Sequence, residues 1–135
     1  MNIGNLQRRW QENQPAVYDK ETRIVCLDIK AEQQTMEENG EQVTKDGYSF
    51  IPVEIDHQID YGHIKSQLIE AGFAQKDEFG LVMNAVDNIL QAVSASSSWA
   101  KFKENLDTDD IRVFSDFCDF RRMCAAAAHE VMNHY

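Results

Sequence analysis

The stretch from Tyr48 to Leu90 limits the possible folds more than any other part of this chain. It begins with an alternating segment, Tyr48 to Ile55, which predicts a strand with one apolar face. A helical pattern then runs from Tyr61 to Ala71, and Asp60 precedes it as a candidate N-cap. A strand that leads through a short connection into a capped helix favours an α+β fold.

Two residues in this stretch predict local geometry. Pro52 lacks an amide hydrogen for a sheet ladder, so we expect its strand to lie at an edge or to contain a bulge. Gly72 follows the helical pattern and predicts a left-handed stop at the end of the helix. Phe73 is then expected to pack back on Leu68.

A second helix is predicted from about Lys76, with Asp77 and Glu78 in its first turn. Its large apolar residues recur at helical spacing and are expected to lie in the core of the protein. They are Phe79, Val82, Met83, Val86, Ile89, Leu90 and Val93.

A long hairpin is predicted before this stretch. Residues Arg23 to Lys30 are apolar on both faces of a predicted strand, and Asn39-Gly40 is a typical two-residue hairpin turn. This turn would place Cys26 opposite Val53 and Ile24 opposite Ile55. The distal half of the hairpin is polar on both sides, so it is expected to project from the body.

The chain ends are expected to be helical. Residues 1–14 are interpreted as an N-terminal arm with helical turns around Leu6 and Trp10, and a last helix is predicted from about Asp107. The wide apolar face of that helix predicts burial on more than one side. Residues 15–135 are therefore expected to form a single α+β domain, an antiparallel β-hairpin or small sheet followed by about three packed helices.

Composition restricts the class of protein. A net charge of −10 disfavours a nucleic-acid binder, which needs basic residues to replace the counterions of phosphate. No apolar run reaches the length of a membrane span, and the first residues lack the apolar region of a signal peptide. The three cysteines, an odd number, are interpreted as reduced thiols. We expect a cytoplasmic protein without nucleic-acid or membrane partners.

Catalytic and metal-binding motifs are not found in the sequence. His129 and His134 are five residues apart, whereas the zinc-protease helix places its histidines four apart on one face. Cys118 and Cys124 do not have zinc-knuckle spacing. There is no phosphate-binding loop or nucleophile elbow. We predict a protein that is not an enzyme, with no catalytic residue, no cofactor and no metal.

Several segments together resemble small proteins from prophage-like regions of gut bacteria. The resemblance covers roughly residues 15–130, and its shared positions are mostly core and cap residues. It implies a phage-associated setting and carries over no catalytic residue. The segments are Pro15 to Arg23, Phe50 to Glu54, the Tyr-Gly-His-Ile-Lys-Ser-Gln-Leu-Ile run from Tyr61 to Ile69, and Phe114 to Arg121.

We therefore expect a phage-derived structural or assembly protein that acts through contacts with a phage or host protein. The alternative is an acidic inhibitor that mimics nucleic acid on a host protein, and a small enzyme is a third possibility. The helices can cover only one face of the hairpin, so the arm or a second copy must cover the other face. The second copy is favoured slightly, and this predicts a homodimer. Its expected interface residues are Trp10, Val25, Leu27 and Ile29.

Overall fold

The computed structural model describes residues 5–105 and 108–135, and these form an α+β fold. The predicted fold class is confirmed. Asp107, where the last helix was predicted to begin, lies outside the described residues, as do residues 1–4 of the arm. The elements are β1 (Arg9–Gln11), β2 (Tyr18–Asp19), β3 (Ile24–Ala31), β4 (Gln34–Glu38), β5 (Glu41–Lys45), β6 (Tyr48–Glu54), α1 (Tyr61–Gly72), α2 (Gln75–Ser94), α3 (Trp99–Asn105) and α4 (Thr108–Met132).

The predicted long hairpin is present, but it is divided between two sheets. β3 and β6 form the centre of a four-stranded antiparallel sheet in the order β1-β6-β3-β2, and β4 and β5 form a separate two-stranded sheet. Asn39 and Gly40 make the turn with positive φ angles of 52° and 81°, as the Asn-Gly pair predicted. β4 and β5 are exposed over most of their length.

A β-bulge changes the predicted pairing in the proximal half of the hairpin. Two residues of β3, Asp28 and Ile29, lie between the pairs Leu27–Ile51 and Lys30–Ser49, where β6 has only Phe50. The predicted pairing of Cys26 with Val53 is therefore wrong by one residue, and so is that of Ile24 with Ile55. Cys26 lies opposite Pro52 and Ile24 opposite Glu54. Asp28 has φ 49°, a conformation that aspartate tolerates better than most residues.

Arg8 of the arm holds this bulge in place. Its Nη1 donates to the carbonyl oxygen of Asp28 at 3.1 Å and to Ser49 Oγ at 3.0 Å, and its other terminal nitrogen is ion-paired with the Asp28 carboxylate. The prediction of helical turns around Trp10 is wrong, because residues Arg9–Gln11 form a strand along β6. The open edge of β6 offers backbone hydrogen bonds to this segment, and these outweigh a weak local preference for helix.

Pro52 does not lie on an outermost strand, because β6 is flanked by β1 and β3. Of the two alternatives expected from Pro52, the edge strand is therefore wrong for the strand as a whole, and the bulge occurs in this strand pair but in β3, opposite Phe50. At Pro52 itself, however, β6 has a partner on one side only, since β1 pairs with residues 48–50 and no further. The amide of Cys26, opposite Pro52, donates to Val17 on the far side of β3. Pro52 and Cys26 therefore form a non-hydrogen-bonded pair. In such a pair the missing amide hydrogen of proline leaves no hydrogen bond between β3 and β6 unmade.

α1 begins as predicted. The Asp60 side chain accepts a hydrogen bond from the backbone amide of His63 at 3.0 Å, which confirms Asp60 as the N-cap. The predicted left-handed stop at Gly72 is wrong, because Gly72 is the last residue of the helix itself. The cap is Phe73, in an extended conformation with φ −131°. Phe73 ends the helix by turning into the core, where its ring meets those of Phe117 and Phe120.

A surface pair beside this cap provides a titration test. The ring of His63 donates from Nε2 to Asp56 Oδ2 at 2.7 Å, and this bond holds the pKa of Asp56 below its ordinary value. We expect His63→Ala to raise the pKa of Asp56 towards the ordinary value, as followed by carboxyl-carbon NMR. His57→Ala is the control, because His57 acts on Asp56 only weakly. An equal rise in both variants would contradict the assignment to His63.

The core lies between the sheet and two helices. α1 and the C-terminal half of α4 cover one face of the sheet, and the expectation that α4 is buried on more than one side is confirmed by its contacts with α1, α2 and β3. At 25 residues, α4 is ~38 Å long, whereas the eight residues of β3 span ~26 Å. The N-terminal part of α4, with α2 beside it, therefore extends beyond the sheet.

Candidate protein-binding face

The large apolar residues of α2 lie on the surface of the protein. The prediction that they belong to the core is therefore wrong. Phe79 is 69% exposed and Leu90 is 60% exposed, and every other member of the set is also exposed. We call this set the α2 stripe; its members are Phe79, Val82, Met83, Val86, Ile89, Leu90 and Val93.

Two alanines and Leu81, on another side of α2, make its contact with the body. Ala85 and Ala92 are buried, and they follow Glu78 at intervals of seven residues, so the three lie on one face. Glu78 forms an ion pair with Arg121 of α4 at 3.5 Å, which identifies this face as the one that packs on α4. The centre of the α2 stripe lies about 120° around the helix from the alanines. α4 therefore cannot cover it.

The spacing of the α2 stripe is that of a helix-packing seam. Phe79, Val82, Val86, Ile89 and Val93 alternate steps of three and four residues, as the a and d positions of a heptad do. Met83 and Leu90 widen this seam on one side. No charged residue interrupts the stripe, and there is no lysine or arginine between Asp77 and Ser94. The surface is suited to a second apolar helix, and it lacks the basic residues of helices that lie on membranes.

A hollow lies at the C-terminal end of the α2 stripe. Trp99 and Phe102 of α3 stack with their ring centroids 5.3 Å apart, and Trp99 is 68% exposed. Together with Val93 and three serines, Ser96 to Ser98, they line a space of about 420 Å³. This space is shallow and open to solvent, and an aromatic side chain from another molecule could rest in it against the Trp99 and Phe102 rings.

The size of this surface exceeds what a monomer normally exposes. The exposed fractions of the α2 stripe and Trp99 correspond to on the order of 800 Å² of mostly apolar area. The largest apolar patch of a typical monomer is ~300–600 Å², and each partner in a standard interface contributes ~800 Å². We therefore regard the α2 stripe and the hollow as the candidate functional site.

The four residues predicted to form an interface lie elsewhere and do not come together on the surface. Val25 and Leu27 are buried, because helices of the same chain cover that face of the sheet. Ile29 is half-buried beside Met123 in a hollow of about 330 Å³. Trp10 is half-buried against Gly47, and its indole N–H donates to the carbonyl oxygen of Glu32 at 2.8 Å.

The second face of the sheet is partly covered by the chain itself. Residues 12–17 connect β1 and β2, which flank opposite edges of the sheet. Pro15 and Ala16 of this segment line a groove of about 590 Å³ together with Cys26 and Phe50. Cys26 and Phe50 are buried, although they lie on the face away from the helices. The segment that connects β1 and β2 thus supplies some of the cover that the apolar residues of this face require.

The thiols and histidines of the described residues do not form a metal-binding cluster, although Cys26 and His134 line the same groove. Burial raises the pKa of Cys26 and raises that of Cys124 to about 12, so both thiols stay protonated and are poor nucleophiles. His129 stacks on Tyr61 at 4.2 Å, whereas His134 lies edge-on to Tyr18 at 5.4 Å. The described residues contain no group of three or more His, Cys, Asp or Glu placed to hold a metal ion.

Within the described ranges, the helices lack the combination of length and hydropathy that a membrane span requires.

Comparison with protein-family models, with curated proteins and with solved structures finds no match to this chain. The geometry of the molecule and the sequence pattern are therefore the basis for a functional proposal.

Proposed function

We propose that this protein is a non-enzymatic assembly component that acts through protein–protein contacts made by the α2 stripe and the adjacent hollow. The single observation that carries the proposal is the exposure of seven large apolar residues on one side of one helix, five of them in a heptad-like row. Covering such a row releases water from apolar surface, so a protein partner is favoured. The phage-derived setting is part of the proposal and is supported only by the sequence resemblance.

The distribution of acidic residues supports assembly over mimicry of nucleic acid. A mimic would be expected to arrange free carboxylates along one ridge. Here acidic residues occur on the hairpin, the loops and the helices, and several are ion-paired with basic side chains. Examples are Asp28 with Arg8, Glu38 with Lys45 and Asp119 with Arg122. The acidic inhibitor therefore remains the second proposal.

The non-enzymatic part of the proposal is supported by the chemistry of the described cavities. The groove on the second face of the sheet is lined by apolar residues and by six titratable side chains, those of Arg9, Tyr18, Asp19, Lys20, Cys26 and His134. Burial raises the pKa of Cys26, and burial together with the hydrogen bond to Tyr135 raises the pKa of Tyr18 to about 12. The thiol and the phenol are therefore protonated near neutral pH, whereas a catalytic nucleophile or base needs a pKa near or below the working pH.

Site-specific photo-crosslinking tests the proposed face. A photoreactive phenylalanine analogue in place of Phe79 should form covalent adducts with a protein when the cells that make this chain are irradiated. The reason is that Phe79 is the most exposed member of the α2 stripe and would lie inside the contact. Adducts are detected as bands of higher mass on denaturing gels and identified by mass spectrometry.

The matched control places the same analogue at Asn84. Asn84 is exposed on the polar side of the same helix, about 140° from Phe79. It should give few adducts, because that side would face water in the complex. Equal yields at the two positions, or no adduct at position 79 above the level at Asn84, would refute the proposed face.

A further inference from the structure

We infer that the partner of the α2 stripe is a second copy of this chain, with the two α2 helices packed antiparallel about a two-fold axis at Val86. This inference rests on the proposed function and specifies its partner. Two-fold pairing is the commonest symmetry of protein oligomers, and it requires a surface that is complementary to itself.

The α2 stripe has this self-complementarity. Its first and last residues, Phe79 and Val93, are each seven positions from Val86. In an antiparallel pair centred on Val86, residues equally distant from the centre meet, so Phe79 lies opposite Val93 of the partner copy. Val82 then meets Leu90, and Met83 meets Ile89. Every contact along the seam is apolar, and each large side chain faces a smaller or more flexible one.

The hollow provides a place for the side chain that protrudes most. Val93 lines the hollow beside Trp99 and Phe102. Because the antiparallel pair places Phe79 of one copy opposite Val93 of the other, the exposed phenyl ring is directed at this hollow. Because of the two-fold symmetry, the same contact between Phe79 and the hollow forms at both ends of the interface. A parallel pair would instead place the two Phe79 rings against each other and leave both hollows empty.

Charges also favour the antiparallel arrangement. Asp77 and Glu78 lie in the first turn of α2, and they would lie opposite Ala95 and Ser94 of the other copy. Asp87 would lie at the level of Ala85 of the other copy, and both residues lie about 100° around the helix from Val86 and outside the seam. No carboxylate of α2 is thereby placed directly against another, and the helix dipoles are opposed. In a parallel pair, the acidic first turns of both helices would lie side by side.

The exposed area is sufficient for a stable dimer. Two copies that each cover on the order of 800 Å² would bury ~1,600 Å² in total, which is the size of a standard interface. Each copy has a net charge of −10, so the chains repel one another at long range. Salt screens this repulsion and leaves the apolar contact intact, so association should become stronger as salt is added.

Light scattering on the purified full chain is the first test. We expect a mass of twice 15.5 kDa at micromolar concentration. Phe79→Asp and Leu90→Asp should each weaken the dimer at least about tenfold, because each places a charge in the apolar seam. Both side chains are exposed in the single chain, so circular dichroism should show an unchanged fold. Asn84→Asp is the matched control and should remain dimeric.

Disulfide trapping is the second test and determines the orientation. In a Cys118→Ser background, mixing Phe79→Cys with Val93→Cys should give a cross-linked heterodimer, whereas neither variant alone should cross-link efficiently. Val86→Cys alone should cross-link to itself, because it lies on the axis. Efficient self-crosslinking of Phe79→Cys and Val93→Cys, without the mixed product, would overturn the antiparallel arrangement.

The outcomes separate this inference from the proposed function. A mass of 15.5 kDa at every concentration would overturn the dimer, and the proposed function would still stand if position 79 forms adducts with another protein. A dimer that is insensitive to Phe79→Asp and Leu90→Asp would also overturn the inference, because the contact would then lie elsewhere. Absence of any adduct at position 79 would refute both.

Discussion

Replacing Phe120 with alanine is expected to lower the free energy of unfolding by about 3–5 kcal/mol. The Phe120 side chain is fully buried in α4, where its ring packs edge-on against Phe73 with the centroids 5.4 Å apart. The truncation removes a ring from the buried core cluster, and the packed core can relax only in part to fill the space. The loss is measured by urea unfolding followed by far-ultraviolet circular dichroism.

Phe79→Ala is the matched control, because it makes the same chemical change on the exposed α2 stripe. In the Leu90→Asp background, where the chain is expected to be monomeric, Phe79→Ala should change the free energy of unfolding by less than about 1 kcal/mol. The difference between the two variants measures how much of each ring the chain itself covers. Similar losses in both variants would mean that the α2 stripe is packed inside the monomer. The α2 stripe could then not be a binding face, and the proposed function would be refuted.

The contrast between these two phenylalanines also marks what the sequence could predict. Both lie at helical spacing among other apolar residues, and periodicity correctly identified an amphipathic face on each helix. Periodicity gives the direction of an apolar face, but it does not give the surface that covers it. For α4 that surface is the sheet and α1. For α2 no such surface is found among the described residues of the chain, because the packing contact is made on another side of the helix by Ala85, Ala92 and Leu81.

The positions of two alanines in α2 could have shown, from the sequence, that the large apolar residues of α2 do not lie in the core. Ala85 and Ala92 are seven residues apart, and small residues at that spacing allow two helices to approach closely. α2 thus has two apolar sides, one with these alanines and Leu81 and the other with the α2 stripe, and each side needs its own packing partner. α4 makes only the contact on the side of the alanines. The sheet of this 135-residue chain is too short to cover the whole length of α2 and α4, so the α2 stripe stays exposed.

The strand pairing was predictable up to the bulge and not beyond it. The Asn39-Gly40 turn determines the pairing of the residues next to it, and this pairing persists to Lys30 opposite Ser49. The extra residue at Asp28 depends on Arg8, which is 20 positions away in the sequence. A long-range ion pair of this kind has no local pattern, so the shift that places Cys26 opposite Pro52 could not be read from the strands alone.

Gly47→Ala is expected to lower the free energy of unfolding by about 1–3 kcal/mol through a steric conflict with β1. A Cβ at position 47 would collide with the ring of Trp10 and would lie 2.6 Å from the carbonyl oxygen of Gln11. The ring could rotate, but the carbonyl belongs to a strand that is paired with β6. Relief therefore requires β1 to move away from its edge position.

Tryptophan fluorescence reports this movement. In a Trp99→Phe background Trp10 is the sole tryptophan, and its hydrogen bond to Glu32 should break as β1 shifts, so its emission should move to longer wavelength. Gly80→Ala is the control: its Cβ meets nothing within 4 Å, and alanine favours the helix by up to ~1 kcal/mol. Adding Trp10→Ala to Gly47→Ala should restore stability only in part, because the collision with the Gln11 carbonyl remains. Full stability and unchanged emission in Gly47→Ala would contradict the close packing of the arm on the hairpin.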